Sequence, residues 1–222
     1  LTVSGGPRST VRGVRIDGSS GGGIAISPGP ANLVGVTIGG ASQSALSASC
    51  EEADCDQREV VVEDSTLTGS GTGLLVQGAR VRFVRGRIAE MGGPALHAGS
   101  GVVATRGAQL SLEGVTVENN QSAGVVVDGE GTRAALLDCL VRGNQARGVW
   151  IQNVTGGSVD VSGGEISGNA LVGLGVRDSD GVTVSGVTVQ DTTAVRLPRD
   201  LGHYEDVGDG LALFTGARNV TV

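Results

Sequence analysis

The sequence predicts an all-β solenoid, a stack of coils each built from three short strands. One pattern recurs along nearly the whole chain. In Gly114 to Val127 an alternating apolar pair (Val115, Val117) is followed by a polar turn with Asn120, then Gly124 and a second pair (Val125, Val127). The step from Val117 to Gly124 repeats from Ile16 to Gly23, Ile38 to Ala45, Ile88 to Ala95, Val141 to Gly148 and Ile166 to Gly173. It runs one residue short from Leu67 to Gly73 and much longer from Val189 to Gly210. A third strand ends at Val11, Leu33, Val62, Phe83, Leu112, Leu136, Val161 and Val184. Three strands thus return roughly every 23 residues, stretched in places by insertions, which is the signature of a repeat architecture.

Composition agrees with narrow stacked layers. Glycine makes up 40 of 222 residues against 5 prolines, and the glycines fall at fixed places in the repeat, as corners that need positive φ or close stacking. Aromatic residues are 2 per cent, so Val, Leu, Ile and Ala must fill the core. The formal charge is −7 and all 16 basic residues are Arg, with no basic stripe to serve nucleic acid. No apolar run is long enough to span a membrane. The expectation is a single domain over residues 1–222, opening and closing in mid-pattern as a segment of something longer, with neighbouring domains as partners.

Each strand has a predicted inner and outer face. In the strand before the turn, Val36, Val115, Cys139 and Val187 point inward with Ile38, Val117, Val141 and Val189, while Thr37, Thr66, Thr116 and Thr188 point out. In the strand after it, Ile24, Leu46, Leu74, Leu96, Val125, Val149, Leu174 and Leu211 point inward. Each coil then pairs in parallel with the coils above and below, because one coil alone cannot offset its backbone entropy. Asn120, Asn144 and Asn169 hold one turn position in successive coils, where stacked amides can bond along the axis. Insertions are predicted at about 49–57, 98–107 and 191–209.

This pattern resembles the right-handed single-stranded parallel β-helix of the pectate-lyase-like superfamily, from Val11 to Val222, with about eight to nine coils expected. The resemblance implies a scaffold shared by polysaccharide lyases, polygalacturonases, alginate epimerases, phage tailspikes and adhesins, with the variety in loops. Catalytic members place carboxylates, or carboxylates with Arg or Lys, on adjacent coils of one face. Here the outward column reads Arg15, Thr37, Thr66, Arg87, Thr116, Leu140, Glu165, Thr188, which offers no such set. The Asp-Pro-His-Asp of the epimerases is missing, and Gly202-His203 is followed by Tyr204, so the Gly-His-Gly of polygalacturonases is missing too. Glu63 and Asp64 beside Arg85 and Arg87 are expected to form ion pairs between coils.

Three places remain for function. Cys50 and Cys55 enclose a short acidic loop and predict a small disulfide, hence an oxidising compartment. Its Glu51, Glu52, Asp54 and Asp56 match no standard calcium loop, so a solvated loop is expected and calcium is the one candidate cofactor. Cys139, in an inward column, is expected to be a buried thiol. His97, Val126 and Trp150 share an outward column, where an exposed Trp either stacks on a sugar or a partner, or is covered by residues 98–107. The segment from Asp191 to Asp209 carries Arg196, Arg199, Asp200, His203, Tyr204, Glu205 and Asp206. If it folds back over the corner above Asn169, His203 with Glu205 or Asp206 could move a proton, and Tyr204, Arg196 or Arg199 could hold an acidic sugar.

The functional expectation is a non-catalytic scaffold or binding domain of a secreted or cell-surface bacterial protein, recognising polysaccharide or a surface partner. A polysaccharide lyase or glycoside hydrolase working from the long segment is the first alternative, and a structural stalk of an adhesin or fibre the second.

Overall fold

The computed structural model describes residues 1–4, 8–27, 29–51, 55–93, 99–198 and 204–222. Three parallel sheets run along the axis of a right-handed β-helix, and the chain visits them in a fixed order. One coil illustrates the rule: Ala123–Asp128 lies in the first sheet, Arg133–Leu137 in the second and Leu140–Arg142 in the third. The next coil stacks on it residue for residue, with Val125 opposite Val149, Leu136 opposite Val161 and Val141 opposite Ile166. The third sheet has eight strands, and seven steps join them. The helix therefore makes about seven turns, roughly 34 Å at one strand spacing each, where the repeat pattern predicted eight to nine coils. Counting repeat units counts both end coils, whereas a turn is the step between two.

The alternation of the strands sorts side chains as expected. Val125, Val149 and Leu174 in the first sheet, Leu112 in the second and Val117 in the third are fully buried. Each contributes about 1.5–3 kcal/mol on leaving water. Leu211 continues the inward column but is 38% exposed, since among the described residues no strand stacks in parallel beyond it. Corners between the second and third sheets are made by a single residue with φ near +50° to +60°, filled by Gly114 in one coil and Asp138 in the next. Gly124 is needed for another reason. A Cβ there would lie 2.6 Å from Val141 Cγ1, 2.7 Å from the Gly148 carbonyl oxygen and 2.8 Å from Asn144 Nδ2.

That crowded corner houses the asparagine ladder. Asn144 Oδ1 accepts from the Asn120 backbone N–H at 3.1 Å and from Asn120 Nδ2 at 2.8 Å. Asn169 Oδ1 accepts the same two bonds from Asn144, and Asn169 Nδ2 donates to the Val141 carbonyl at 2.9 Å. Asn120 Oδ1 passes the pattern back one coil by accepting from Met91 N–H, and Ser70 does so earlier by accepting from Ala41 N–H. All three asparagines are buried, so each amide satisfies turn groups that water cannot reach.

Two predicted insertions fall differently. Residues 98–107 are not an insertion: Ser100–Thr105 is a strand of the first sheet, with Val102 paired to Leu74 and Val125. The extra residues come earlier, between Ala89 and Ser100, so the inward place predicted for Leu96 belongs to Val102. The described residues of the segment 191–209 are largely strand. Val195–Pro198 pairs antiparallel with the first part of Tyr204–Leu213, and the rest of that strand joins the first sheet beside Leu171–Arg177. In the 49–57 stretch Ser49 ends a strand, the Cys50–Cys55 disulfide is present as predicted, and Cys55–Gln57 forms a short 3-10 turn, while 52–54 lie outside the described residues.

Candidate functional site

The outer face of the first sheet carries the one aromatic cluster among the described residues. Strand alternation aims Trp150 outward between Val126 and Gly175 on the adjacent coils. Gly175 is the enabling residue, because any Cβ there would collide with the indole. The ring can then lie across the next coil, where the edge of Phe214 meets it with centroids 5.3 Å apart at 62°. On its own strand, Arg147 places its guanidinium carbon 4.2 Å above the ring centroid. The indole N–H donates to Gln152 Oε1 at 2.6 Å, which satisfies the one polar atom the ring buries.

This arrangement changes the reading of Trp150. It is 7% exposed, so its faces are already taken and it is not an open platform for a sugar. Phe214 and Arg147 cover it, where residues 98–107 were the expected cover. His97 lies outside the described residues, and Val103 holds the place in the column that His97 was given. What reaches solvent is the half-buried Arg147, and the exposed Arg177 stands opposite Gln152 on the next coil. Burial pulls the Arg147 guanidinium below its ordinary value, and the charge of Arg177 adds to the effect.

The long segment brings fewer of its candidates together. Beside Asn169 sits Thr193, whose N–H donates to the Asn169 carbonyl at 2.8 Å, so the place expected for His203 to Asp206 is held by the start of the segment. The hairpin register sets Arg196 opposite Asp206, Leu197 opposite Glu205 and Pro198 opposite Tyr204. Arg199, Asp200 and His203 lie outside the described residues. In the disulfide loop, Glu51 is exposed and Asp56 belongs to the 3-10 turn, while Glu52 and Asp54 lie outside the described residues. Among the described residues no three His, Cys, Asp or Glu side chains cluster as a metal site. Cys139 is buried, its sulfur 3.4 Å from the Leu112 carbonyl oxygen, and burial pushes its thiol up.

Four carboxylates on the second and third sheets, Glu59, Asp64, Glu113 and Glu118, are each held by an arginine of another coil. Asp64 pairs with Arg85 at 3.0 Å as predicted, but Arg87 turns to the next coil and binds Glu118 at 2.7 Å instead of reaching Glu63. Arg142 reaches Glu118 from the other side at 2.8 Å, so one carboxylate clasps three coils. Burial alone would raise the Glu118 carboxyl, yet the bonds from Arg87 and Arg142 outweigh it and hold the group below the usual range. Arg82 grips Glu113 with two bonds of 2.7 Å and lowers its carboxyl likewise. That pair forms one wall of a groove of about 460 Å³ on the second sheet, floored by Ser111 and Ala135 and flanked by Arg133 and Asp160. Sequence reasoning missed Arg147, Gln152 and Phe214, and the one signal for them was Gly175 standing in an outward column beside the only Trp.

No curated protein and no solved structure matches the chain. The family model described as right handed beta helix region matches residues 1–194, more than half of the 222-residue sequence. With its parallel sheets, αL corners and inward aliphatic columns, this chain belongs to the right-handed β-helix family.

Proposed function

We propose that this chain is a non-catalytic β-helix scaffold of a secreted or cell-surface bacterial protein, and that the outer face of its first sheet binds polysaccharide or another surface component. One observation carries the reading: on this outer face the covered Trp150 ring holds two half-buried polar side chains, Arg147 and Gln152, and neither the Arg147 guanidinium N–H groups nor Gln152 Nε2 has an acceptor among the described residues. Arginine packed on a buried aromatic anchor favours recognition. The Cys50–Cys55 disulfide supports an oxidising location. The ordered carboxylates Asp64, Glu113 and Glu118 are engaged by arginines, which lowers their value as proton acceptors near neutral pH.

The test is to incubate the chain with pectin, alginate and neutral polysaccharides, with and without calcium, and to measure both retention and newly formed unsaturated or reducing ends. Retention without new ends is the expected result. Turnover lost jointly in His203→Ala and Glu205→Ala would replace this reading with a lyase or hydrolase.

A further inference from the structure

Arg147 is half-buried and yet meets no carboxylate among the described residues, whereas Arg12, Arg106, Arg133 and Arg218, which meet none there either, are exposed. Arg82, Arg85, Arg87 and Arg142 each meet a carboxylate at 3.0 Å or less. Among the described residues Arg147 meets none, and none of its guanidinium N–H groups has an acceptor there; its contact is the Trp150 ring. A guanidinium stays charged at neutral pH and carries five N–H donors in one plane. Here that charge is half-buried and packed on an indole, and a second cation, Arg177, stands opposite Gln152 on the next coil and shares its own charge with Asp178 at 3.0 Å. Asp178 already offsets Arg177, whereas a partly desolvated cation such as Arg147 is unfavourable until an anion meets it.

The surroundings also favour a ligand. The indole N–H fixes Gln152 through Oε1, which leaves the Gln152 Nε2 group without an acceptor among the described residues. Two sets of donors therefore flank one rigid ring. With its carbon 4.2 Å over the indole, the guanidinium keeps N–H donors for a planar or tetrahedral oxyanion.

We infer that Arg147, backed by Trp150 and flanked by Gln152 and Arg177, is an anion site that takes the carboxylate or sulfate group of an acidic sugar. The sugar rests on the binding reading above, whereas the requirement for an oxyanion rests on Arg147 itself.

Trp150 is the only tryptophan of the chain, so its fluorescence reports on this site alone. The experiment titrates the whole chain at low ionic strength with glucuronate, glucose 6-sulfate and glucose. The two charged sugars are expected to change the emission saturably, with a Kd on the order of millimolar, while glucose does not. Whichever charged sugar binds tighter identifies the anion. Arg147→Gln is expected to weaken the response at least about tenfold, because a charge-assisted bond is removed. Arg147→Lys, which keeps the charge but loses the fork, should fall between, and Arg177→Gln should weaken binding without disturbing Trp150. These two variants keep the test valid if Arg147→Gln fails to fold. Equal responses to glucose, an unaltered response in Arg147→Gln or Arg147→Lys, or silence from every probe up to about 100 mM would overturn the site. If polysaccharides were still retained while all three probes stayed silent, the anion site would be discarded and the binding reading would stand.

Discussion

Replacing Asn144 by Ala should be among the costliest changes of a polar side chain in this protein. Asn144 is 1% exposed, and its Oδ1 takes two bonds, from Asn120 N–H at 3.1 Å and Asn120 Nδ2 at 2.8 Å. Its own Nδ2 donates to Asn169 Oδ1 at 2.8 Å. Alanine leaves both Asn120 donors without their protein acceptor in a buried corner, while Asn169 Oδ1 keeps its bond from the Asn144 backbone. At about 1–3 kcal/mol for each of the two stranded donors, the loss comes to about 2–6 kcal/mol. The assay is urea unfolding followed by far-UV circular dichroism, read as a midpoint shift at unchanged slope.

The double variant Asn120→Ala/Asn144→Ala sharpens the test. With Asn120 shortened, its Nδ2 is no longer there to be stranded, so the double variant should cost about 1–2 kcal/mol less than the sum of the singles. A loss under about 0.5 kcal/mol for Asn144→Ala, or strict additivity in the double variant, would refute the ladder as a shared network.

The remaining expectations concern the core, the clasp and the thiols. Leu174→Ala should cost about 2–5 kcal/mol by leaving a cavity in a fully buried column, and Thr116→Ala, half-buried on the outer face, under about 1 kcal/mol by the same denaturation assay. Glu118→Gln should cost about 1–2 kcal/mol at pH 7 by removing the charge that two arginines share. The folded carboxyl of Glu118 lies below its unfolded value, so its contribution is full above the unfolded carboxylate range and is lost as pH falls through the folded one. The gap between wild type and Glu118→Gln in pH-dependent melts should therefore close towards acid, and a constant gap would count against the clasp. Thiol titration should find no reactive cysteine in the native chain and one, Cys139, after unfolding without reductant; three would exclude the Cys50–Cys55 bond.

The fold was legible because a parallel solenoid stacks like on like. Inward Val, Leu and Ile repeat at fixed offsets, so Val125, Val149 and Leu174 could be aligned from sequence alone, as could the three asparagines. The failures have local causes. Ala95-Leu96-His97 and Gly101-Val102-Val103 both fit the small-apolar-any pattern after Ile88, and only pairing with Leu74 and Val125 decides between them. The hairpin within 191–209 was hidden because Pro198 and the charged Glu205 and Asp206 read as loop, although an edge strand tolerates both.

The site was harder to read, since it depends on partners chosen in three dimensions. Trp150 is covered by Phe214, which follows a long excursion of the chain, and no spacing rule links the two. Arg87 had a carboxylate within reach on either neighbouring coil, and sequence offers no means of preferring Glu118 to Glu63. A half-buried arginine that meets no carboxylate among the described residues, as at Arg147, becomes visible only once the pairings are assigned in three dimensions.

The most direct test of the account is affinity electrophoresis of wild type and Arg147→Gln through gels containing an acidic or a neutral polysaccharide. Binding at the outer face of the first sheet requires wild type to be retarded by the acidic polymer, Arg147→Gln to migrate faster there, and neither to leave cleaved polymer behind. Equal mobility of both proteins in every gel, or a cleared track behind wild type, would contradict it.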